Sequence, residues 1–132
     1  MAHLTFVSHA SEDSAYAEKL VADLEARGAH CWYAPRDLPV GADFAQAIYE
    51  AISCSDNFLV LISVAADRSE HVAREIGLAA QMKCPIMPIR IDDHTQTGAL
   101  CYYSRTINMH TLTGDGYGTA IDRLGGILIV RE

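Results

Sequence analysis

The feature that most constrains this chain is the segment Asn57–Ser63, whose centre is an unbroken apolar run. The run Phe58–Ile62 reads Phe-Leu-Val-Leu-Ile, so a strand formed here is apolar on both of its faces. Strands of this kind lie in parallel sheets that helices cover on both sides, whereas a strand with one solvated face alternates between apolar and polar residues. The segment therefore predicts a central strand of a parallel sheet.

Segments that read as strands alternate along the chain with segments that read as helices. The other predicted strands are Leu4–Ser8, His30–Tyr33, Pro85–Ile91 and Arg105–His110. The predicted helices are Ser11–Arg27, Asp43–Ser53, Ser69–Met82 and a last helix from about Asp115. This alternation predicts an α/β fold of the flavodoxin-like type, a three-layer sandwich with a five-stranded parallel sheet of order 2-1-3-4-5 flanked by helices. Its ligand crevice is expected at the carboxyl ends of strands one and three.

Apolar residues at helical spacing indicate which side of each helix faces the sheet. The predicted inward stripes are Tyr16, Leu20 and Leu24; Phe44, Ile48 and Ile52; Val72, Ile76 and Ala80; and Tyr117, Ile121, Leu124 and Leu128. Ser11 or Asp13 can cap the first helix, and Gly28 can end it. The pair Gly125-Gly126 weakens the last helix, so Ile127–Val130 also fits an extended segment.

Length and charge narrow the class of protein. A chain of 132 residues predicts a single domain, residues 1–132, that is large enough to build its own core. The net charge of −7 argues against general nucleic-acid binding but allows a small phosphate-bearing ligand, which needs only a few local donors. No apolar run is long enough to cross a bilayer, and the N-terminus lacks a secretory signal, so we expect a cytoplasmic protein with no membrane partner.

Cysteines and acidic clusters give no sign of a metal site. The scattered cysteines are Cys31, Cys54, Cys84 and Cys101, and none forms a C-x-x-C pair. We interpret them as reduced core thiols rather than disulfides or zinc ligands. The run Asp92–His94 has no partner at ligand spacing, so we expect an exposed loop there.

One carboxylate, Glu75, lies beside the predicted stripe of the third helix, with His71 one turn before it on the same side. A carboxylate held at the edge of a core, near strand ends, could carry out glycosidic chemistry. The same position also suits an ordinary solvated glutamate. No second acidic residue is obviously paired with Glu75, although most glycosidases use two carboxyl groups.

Several motifs, in order along the chain, resemble those of bacterial Toll/interleukin-1 receptor (TIR) domains. Phe6–Asp13 resembles the opening strand of the family, and Trp32–Gly41 resembles its second strand and the mobile loop that follows. Ser69–Glu75 is similar to the third-helix motif, and Pro85–Ile89 to the fourth strand. The resemblance covers residues from about 4 to 91 well and the remainder loosely.

This resemblance implies two alternative functions. Many bacterial, plant and some animal TIR domains hydrolyse or cyclise NAD⁺ and release nicotinamide, whereas others only assemble signalling complexes. The hydrolases use one glutamate of the third helix, and Glu75 stands at that position, so it is the catalytic candidate. The resemblance implies NAD⁺ as substrate with no further cofactor. It also implies activation by self-association through the loop Ala34–Asp43, a fused or separate sensor domain, and a role in prokaryotic immunity.

The resemblance also suggests the residues that surround the ligand. Ser8, His9 and Ala10 leave strand one, where it places the nicotinamide end. Backbone amides and the Ser11 hydroxyl at the start of the first helix could receive a phosphate or ribose, although turn and cap chemistry explains Ser11 equally well.

The remaining candidates each have a structural alternative. Arg36 is a candidate for binding phosphate or a neighbouring subunit, or it is a solvated loop charge. Trp32 and Phe44 are candidates for lining the pocket, or they belong to the core. His71 stands where the family commonly has a tryptophan that stacks on the ligand, and imidazole stacks more weakly. No metal ligand is expected at this site.

Overall fold

A parallel sheet between two layers of helices forms the body of the protein. The computed structural model describes residues 4–34, 36–38, 40–41, 43–91, 110–111 and 117–130. The four main strands are β1 (Leu4–Ser8), β2 (His30–Trp32), β3 (Asn57–Ile62) and β4 (Ile86–Arg90). The helices are α1 (Ser14–Ala26), α2 (Phe44–Ser53), α3 (Val64–Asp67), α4 (Glu70–Gln81) and α5 (Tyr117–Val130). A 3-10 turn, Ser11–Asp13, precedes α1.

The strand β3 lies inside the sheet, as its composition predicts. It pairs in parallel with β1 on one side and with β4 on the other, and the four strands have the order β2-β1-β3-β4. All six residues of β3 are buried, because helices cover both faces of the sheet. The prediction of an α/β fold with this strand order is confirmed for these four strands.

The edge of the sheet beside β4 is only partly described. His110 and Thr111 form a short strand, β5, parallel to Ile89 and Arg90. These residues fall at the end of the predicted strand Arg105–His110, whose other residues lie outside the described ranges. A full fifth strand therefore stays a prediction. The predicted loop at Asp92–His94 and the fourth cysteine, Cys101, also lie outside the described ranges.

Two apolar clusters, one on each face of the sheet, complete the three layers. Leu20 of α1 packs on one face with Leu59 of β3, and α5 adds Leu124 to the same cluster. On the other face Ile76 of α4 packs with Val60 of β3. Successive side chains of a strand point to opposite faces, so neighbouring residues of β3 supply both clusters.

The inward face of α4 differs from the predicted one by a single residue. Val72, Ile76 and Ala79 are buried, whereas Ala80 is exposed. Seven residues turn an α-helix by about 700°, which returns to the same face within about 20°, whereas eight residues overshoot it by about 80°. The stripe therefore ends at Ala79, and the prediction for Ala80 is wrong.

The prediction that Phe44 points inward is also wrong. Ile48, Ala51 and Ile52 are the buried residues of α2, so its first turn contributes nothing to the core. Phe44 opens that first turn directly after the Asp43 cap and is 57% exposed. It is consequently free to border a cavity.

The last helix is continuous from Tyr117 to Val130 and runs through Gly125 and Gly126. The extended alternative for its last residues is therefore wrong. A Cβ atom on Gly125 would lie 3.3 Å from the Arg27 side chain, so the glycine lets α5 approach the end of α1. No helix within the described ranges is long and apolar enough to cross a membrane.

The start of α1 uses different contacts from those predicted. Asp13 occupies the cap position but makes no side-chain cap hydrogen bond, and Ser11 belongs to the preceding 3-10 turn. The end of the helix is as predicted, because Gly28 takes a φ of 95°, a left-handed conformation that favours glycine.

Three cysteines within the described residues are free thiols: Cys31 and Cys84 are buried and Cys54 is exposed. The prediction of core thiols is wrong for Cys54. This residue directly follows the last residue of α2, and its side chain is exposed. Burial is the main reason that the pKa of Cys31 rises to about 12.

Candidate active site

A cavity of about 390 Å³ opens near the carboxyl end of β1. Its lining comes from β1 and the turn after it, from the residue after Tyr33, and from α1, α2 and α4. The lining residues are Phe6, Val7, His9, Ser11, Ser14, Ala34, Phe44, His71 and Glu75. The volume lies in the lower part of the range of about 300–1,000 Å³ that is usual for small-molecule sites. It lies at the end of strand one, which is one of the two strand ends where the crevice is expected, and no residue of β3 is in its lining.

Glu75 reaches this cavity because of the way α4 is held. Ser69 caps the helix by accepting a hydrogen bond from the Val72 amide, and Val72 and Ile76 anchor the helix on the sheet. Glu75 lies next to that stripe and is only 7% exposed. The alternative of an ordinary solvated glutamate is therefore wrong.

The Glu75 carboxylate has one direct protein partner within the described residues. The Ser8 hydroxyl donates to Glu75 Oε1 over 2.8 Å, and this contact joins the end of β1 to the second turn of α4. Ser8 is itself buried, and it points to the same face of the sheet as Phe6, two residues earlier, which is the face that α4 covers.

Burial dominates the electrostatics of Glu75. Loss of solvation raises the pKa of its carboxyl group, because burial disfavours the charged form. The hydrogen bond from Ser8 opposes this shift most strongly, followed by the charges of His71, His9 and Arg74. The result is a carboxyl group whose pKa stays above its ordinary value, as is common for groups at functional sites.

His71 connects α4 to the backbone at the end of β1. Its Nε2 atom lies 3.0 Å from the His9 carbonyl oxygen, and its Nδ1 atom lies 3.2 Å from Ser69 Oγ. The carbonyl only accepts, so Nε2 carries a proton and donates to it, and Nδ1 shares the second hydrogen bond with the Ser69 hydroxyl. The ring that takes the place of the family's usual tryptophan is thus fixed by two hydrogen bonds at the wall of the cavity.

His9 is held between two carbonyl groups. Its Nδ1 atom lies 2.8 Å from the Ala10 oxygen and its Nε2 atom lies 3.2 Å from the Ala34 oxygen. The ring also packs at a tilt against Tyr33, with ring centroids 6.0 Å apart. These contacts tie the residue that follows β1 to the start of the loop that follows β2.

The 3-10 turn that carries Ser11 is fastened to the neighbouring strand end. The Ser63 hydroxyl donates to Asp13 Oδ2 over 2.5 Å, and the same oxygen of Ser63 accepts from the Ala66 amide. The Ser14 hydroxyl donates to the Ser11 carbonyl oxygen over 2.6 Å. The turn therefore borders the cavity in a defined position, although its Ser11 side chain is exposed.

Two of the predicted pocket residues belong to the core instead of the cavity lining. Ala10 is fully buried. Trp32 stacks on Phe6 with ring centroids 5.1 Å apart, and Phe6 stacks on Phe58 at 5.3 Å. These three aromatic residues come from neighbouring strands in register, so pairing of the strands places their rings side by side.

Arg36 also lies away from the cavity lining. Its guanidinium group binds both carboxylate oxygens of Glu25, at 2.9 and 3.0 Å, and also Asp37. It donates to the Cys31 carbonyl oxygen and lies 4.7 Å from the centroid of the Tyr33 ring. Arg36 is thus an exposed loop charge that is paired with carboxylates, and a role in binding phosphate stays a prediction that requires these pairs to open.

The structure brings together His9, Ser11, Phe44, His71 and Glu75 around the cavity and places Ser8 directly behind Glu75. Sequence reasoning missed Ser63 as the support of the turn, and it missed four residues of the lining: Phe6, Val7, Ser14 and Ala34. Ser63 had a usable signal, because it follows a central strand at the same edge of the sheet as Ser8. Among the described residues, no group of three or more His, Cys, Asp or Glu could hold a metal ion.

A family model described as "TIR domain" matches residues 5–124. The chain belongs to the TIR domain family. A curated relative, the stimulator of interferon genes protein of Magallana gigas, is 29% identical over 97 residues, which cover 73% of this chain. The TIR domain spans only about a fifth (21%) of the length of that relative.

Solved structures with the same fold come from several kinds of protein. The TIR domain of the Toll-related receptor TRR-2 from Hydra magnipapillata has a TM-score of 0.80 and 20% identity, covering 94% of this chain and 96% of that chain. The TIR domains of the activated Roq1 resistosome have a TM-score of 0.64 and 19% identity, with 96% and 85% covered. The CMP N-glycosidase BcmB of Clostridium botulinum has a TM-score of 0.61 and 20% identity, with 92% and 97% covered. At these identities the similarity establishes the fold of the TIR domain alone, so membership of the bacterial NAD⁺-hydrolysing type stays a prediction.

Proposed function

We propose that this TIR domain cleaves the glycosidic bond between nicotinamide and ribose in NAD⁺, giving nicotinamide and either ADP-ribose or a cyclic ADP-ribose. The observation that carries the proposal is Glu75, a nearly buried carboxylate that lines a cavity and receives a hydrogen bond from Ser8. Within the described part of the chain this carboxylate forms no salt bridge, and burial of an unpaired carboxylate costs free energy, so its presence at a cavity favours a functional role.

The chemistry suits a single carboxylate. Most glycosidases need one carboxyl group to protonate the leaving oxygen and a second to stabilise or attack the sugar carbon. The nicotinamide of NAD⁺ is bound through a cationic ring nitrogen, so it leaves with the bonding electrons as a neutral base and needs no proton. The remaining task is to stabilise an oxocarbenium-like ribose, and one ionised glutamate does this through its charge.

The walls of the cavity suggest how the ligand is held. Phe44 and the His71 ring provide flat surfaces for the nicotinamide, and Ser11 and Ser14 provide hydroxyl groups for the ribose or the adjoining phosphate. We assign Ala10 and Trp32 to the support of the site, because neither borders the cavity. Water attack at the sugar carbon gives the linear product, and attack by the adenine gives the cyclic one.

Two of the structural neighbours support parts of this proposal. BcmB is described as a CMP N-glycosidase, which cleaves a bond of the same class between a base and a ribose. Roq1 is described as an activated resistosome that recognises a pathogen effector, which fits activation of TIR domains within an assembly and a role in immunity.

Self-association of this domain is part of the proposal. Val40 is fully exposed in the loop between β2 and α2, and Phe44 follows it at the start of the helix. Apolar side chains of this kind gain free energy when a second copy covers them. We expect Val40→Asp to lower both the sedimentation coefficient at high protein concentration and the rate of nicotinamide release, with no loss of thermal stability. A Val40→Asp variant that assembles and reacts as the parent does would exclude this loop as the contact.

The direct test is nicotinamide release from NAD⁺ by concentrated protein, followed by chromatography. We expect Glu75→Gln and Glu75→Ala to reduce the rate by roughly 10²–10³-fold, the range seen when a group that stabilises the transition state is removed. Glu70→Gln is the matched control, because Glu70 is an exposed carboxylate on the same helix. Equal rates in the two Glu75 variants and the control would reject the site.

The alternative function is a TIR domain that only assembles signalling complexes. Exposure of Val40 and Phe44 favours assembly whether or not catalysis follows. Assembled protein that releases no nicotinamide would favour this alternative. Release of base from CMP but not from NAD⁺ would support cleavage of a bond between a base and a ribose, but it would overturn NAD⁺ as the substrate.

A further inference from the structure

We propose that Ser8 is a positioning residue for Glu75: its buried hydroxyl holds one carboxylate oxygen and leaves the other oxygen for the ligand. The expected effect of Ser8 on the reaction rate rests on the proposed function. The contact between Ser8 and Glu75 can be tested without any enzymatic activity. It replaces the predicted role of Ser8 as a residue that touches the nicotinamide end of the substrate.

A ligand in the cavity reaches Glu75 but not Ser8. Ser8 is 1% exposed and is absent from the lining of the cavity, whereas Glu75 belongs to the lining. The hydroxyl proton of Ser8 is already directed at Glu75 Oε1, 2.8 Å away. A bound ligand would therefore meet Glu75, and Ser8 would act only through it.

The two carboxylate oxygens of Glu75 differ in their hydrogen bonds. Oε1 accepts from Ser8, whereas no hydrogen bond to Oε2 is found within the described ranges. One fixed oxygen limits rotation of the carboxylate plane, so the other oxygen keeps a constant direction. Reacting groups must be held within fractions of an ångström, and misplacement of about 1 Å can cost roughly 10²-fold in rate.

The Ser8 hydroxyl also influences the ionisation of Glu75. A hydroxyl that donates to a carboxylate stabilises the ionised form, which is the form that stabilises a cationic ribose. The charged groups that act on Glu75 are His71 and Arg74 of the same helix and His9 after β1. Ser8 outweighs each of these in lowering the pKa of Glu75 against the effect of burial, so its removal raises that pKa further.

The first test measures the ionisation of Glu75 directly. Protein labelled with ¹³C at glutamate carboxyl carbons is titrated by NMR, and the Glu75 signal is identified by its loss in Glu75→Gln. We expect the midpoint of Glu75 to move to higher pH in Ser8→Ala and to return in Ser8→Thr, which restores the hydroxyl group. Ser63→Ala is the matched control, because Ser63 is a buried serine at the end of β3 whose hydroxyl donates to Asp13.

A second variant protects the test against loss of folding. Ser8→Cys keeps nearly the shape of serine but donates a hydrogen bond only weakly, so it should shift the midpoint in the same direction. Circular dichroism and thermal denaturation verify that each variant is folded. An unchanged midpoint in folded Ser8→Ala, or in Ser8→Cys where the alanine variant does not fold, would overturn the proposal.

The second test separates positioning from substrate binding. In Ser8→Ala we expect kcat for nicotinamide release to fall by roughly 10- to 100-fold, with KM changed by no more than about twofold. The rising limb of the profile of kcat against pH should move to higher pH together with the NMR midpoint. A raised KM with unchanged kcat would instead make Ser8 a residue that binds substrate.

The two proposals fail in different ways. A parent protein that releases no nicotinamide, with a midpoint that still shifts in Ser8→Ala, would reject the proposed activity and retain the contact between Ser8 and Glu75. An active parent whose Glu75 midpoint is the same in Ser8→Ala would retain the activity and reject the positioning role.

Discussion

The wall and the rim of the cavity are built in opposite ways. The wall consists of Ser8, His9, His71 and Glu75, and the rim consists of the residues described between Ala34 and Phe44. Each wall residue is bound to another part of the chain that is distant in sequence, over separations of 25 to 67 residues. All four are buried or half-buried. The wall is therefore fixed by the fold of a single chain.

Among the described residues of the rim, the hydrogen bonds to distant parts of the chain lie near its beginning. The Ala34 carbonyl oxygen lies 3.2 Å from His9 Nε2, and Arg36 joins the loop to Glu25 of α1. Farther along, Val40 is fully exposed and Phe44 is more than half exposed. The loop thus leaves apolar surface that the single chain does not cover.

This difference suggests that the wall and the rim have different functions. Catalytic geometry requires fixed groups, and the wall supplies them before any partner binds. Surface that is to be covered by a second copy must be exposed until that copy arrives. The proposed activation by self-association then requires change mainly at the rim, with His9 as the contact between the two regions.

The largest expected effect comes from the packing beneath the wall. Ile76→Ala removes a buried side chain next to Glu75 and should lower the free energy of unfolding by about 2–5 kcal/mol. Val40→Ala in the rim should change it by less than about 0.5 kcal/mol, because the side chain is fully exposed. Urea denaturation of both variants provides the measurement. Similar losses in the two variants would contradict the contrast between wall and rim.

A smaller effect is expected at the cap of α4. Ser69→Ala removes the acceptor of the Val72 amide and a partner of His71, so it should cost about 1 kcal/mol of unfolding free energy. Ser53→Ala is the matched control, since Ser53 is an exposed serine near the end of α2. Chemical denaturation should show the larger loss for Ser69→Ala. Equal losses would mean that the Ser69 cap does not hold the wall.

The elements that sequence predicted correctly are those with a local signal. The strands Leu4–Ser8 and Asn57–Ile62 carry apolar runs, and the alternation of elements along the chain predicts a parallel sheet, whose flavodoxin-like order is confirmed for four strands. Glu75 was predicted at the edge of a core because the stripe beside it can be read from helical spacing. A periodic pattern of this kind needs only neighbouring residues.

The features that the sequence does not predict either depend on contacts between residues distant in sequence or are too short to show a periodic apolar pattern. The helix Val64–Asp67 has four residues, about one turn, so it shows no periodicity. The partners of Ser8 and Arg36 lie 67 and 11 residues away. Such pairs depend on tertiary packing, and several donors in the chain could satisfy the same acceptor. The lining of a cavity is consequently harder to predict than the strand end where it lies.

Ionisation of Glu75 should make the wall less stable near neutral pH. Burial raises the folded-state pKa of Glu75 above the ordinary value of 4.5. The protonated carboxyl group therefore stabilises the folded chain fully below pH 4.5, and this stabilisation is lost as the pH rises through the folded-state pKa. Glu75→Gln should therefore be more stable than the parent at pH 7, by up to about 1 kcal/mol.

The control for this prediction is Glu70→Gln, which alters an exposed carboxylate of the same helix and should give no gain. Thermal denaturation at pH 7 and at about pH 4 provides the comparison, and the advantage of Glu75→Gln should shrink at the lower pH. A variant less stable than the parent at pH 7 would mean that the ionised carboxylate stabilises the folded chain.

The smallest effect is expected at the anchored end of the rim. Arg36 and Glu25 form a bidentate pair, but their side chains are 37% and 36% exposed, so water and salt screen the interaction. A double-mutant cycle with Arg36→Ala and Glu25→Gln should give a coupling free energy of about 0.5 kcal/mol, and 1 M salt should reduce it. Arg36→Lys should recover only part of it, since lysine lacks the planar fork of donors. A coupling of several kcal/mol that salt does not change would show that the beginning of the rim is held as firmly as the wall. The contrast between the two regions would then apply only to the rim residues after Asp37.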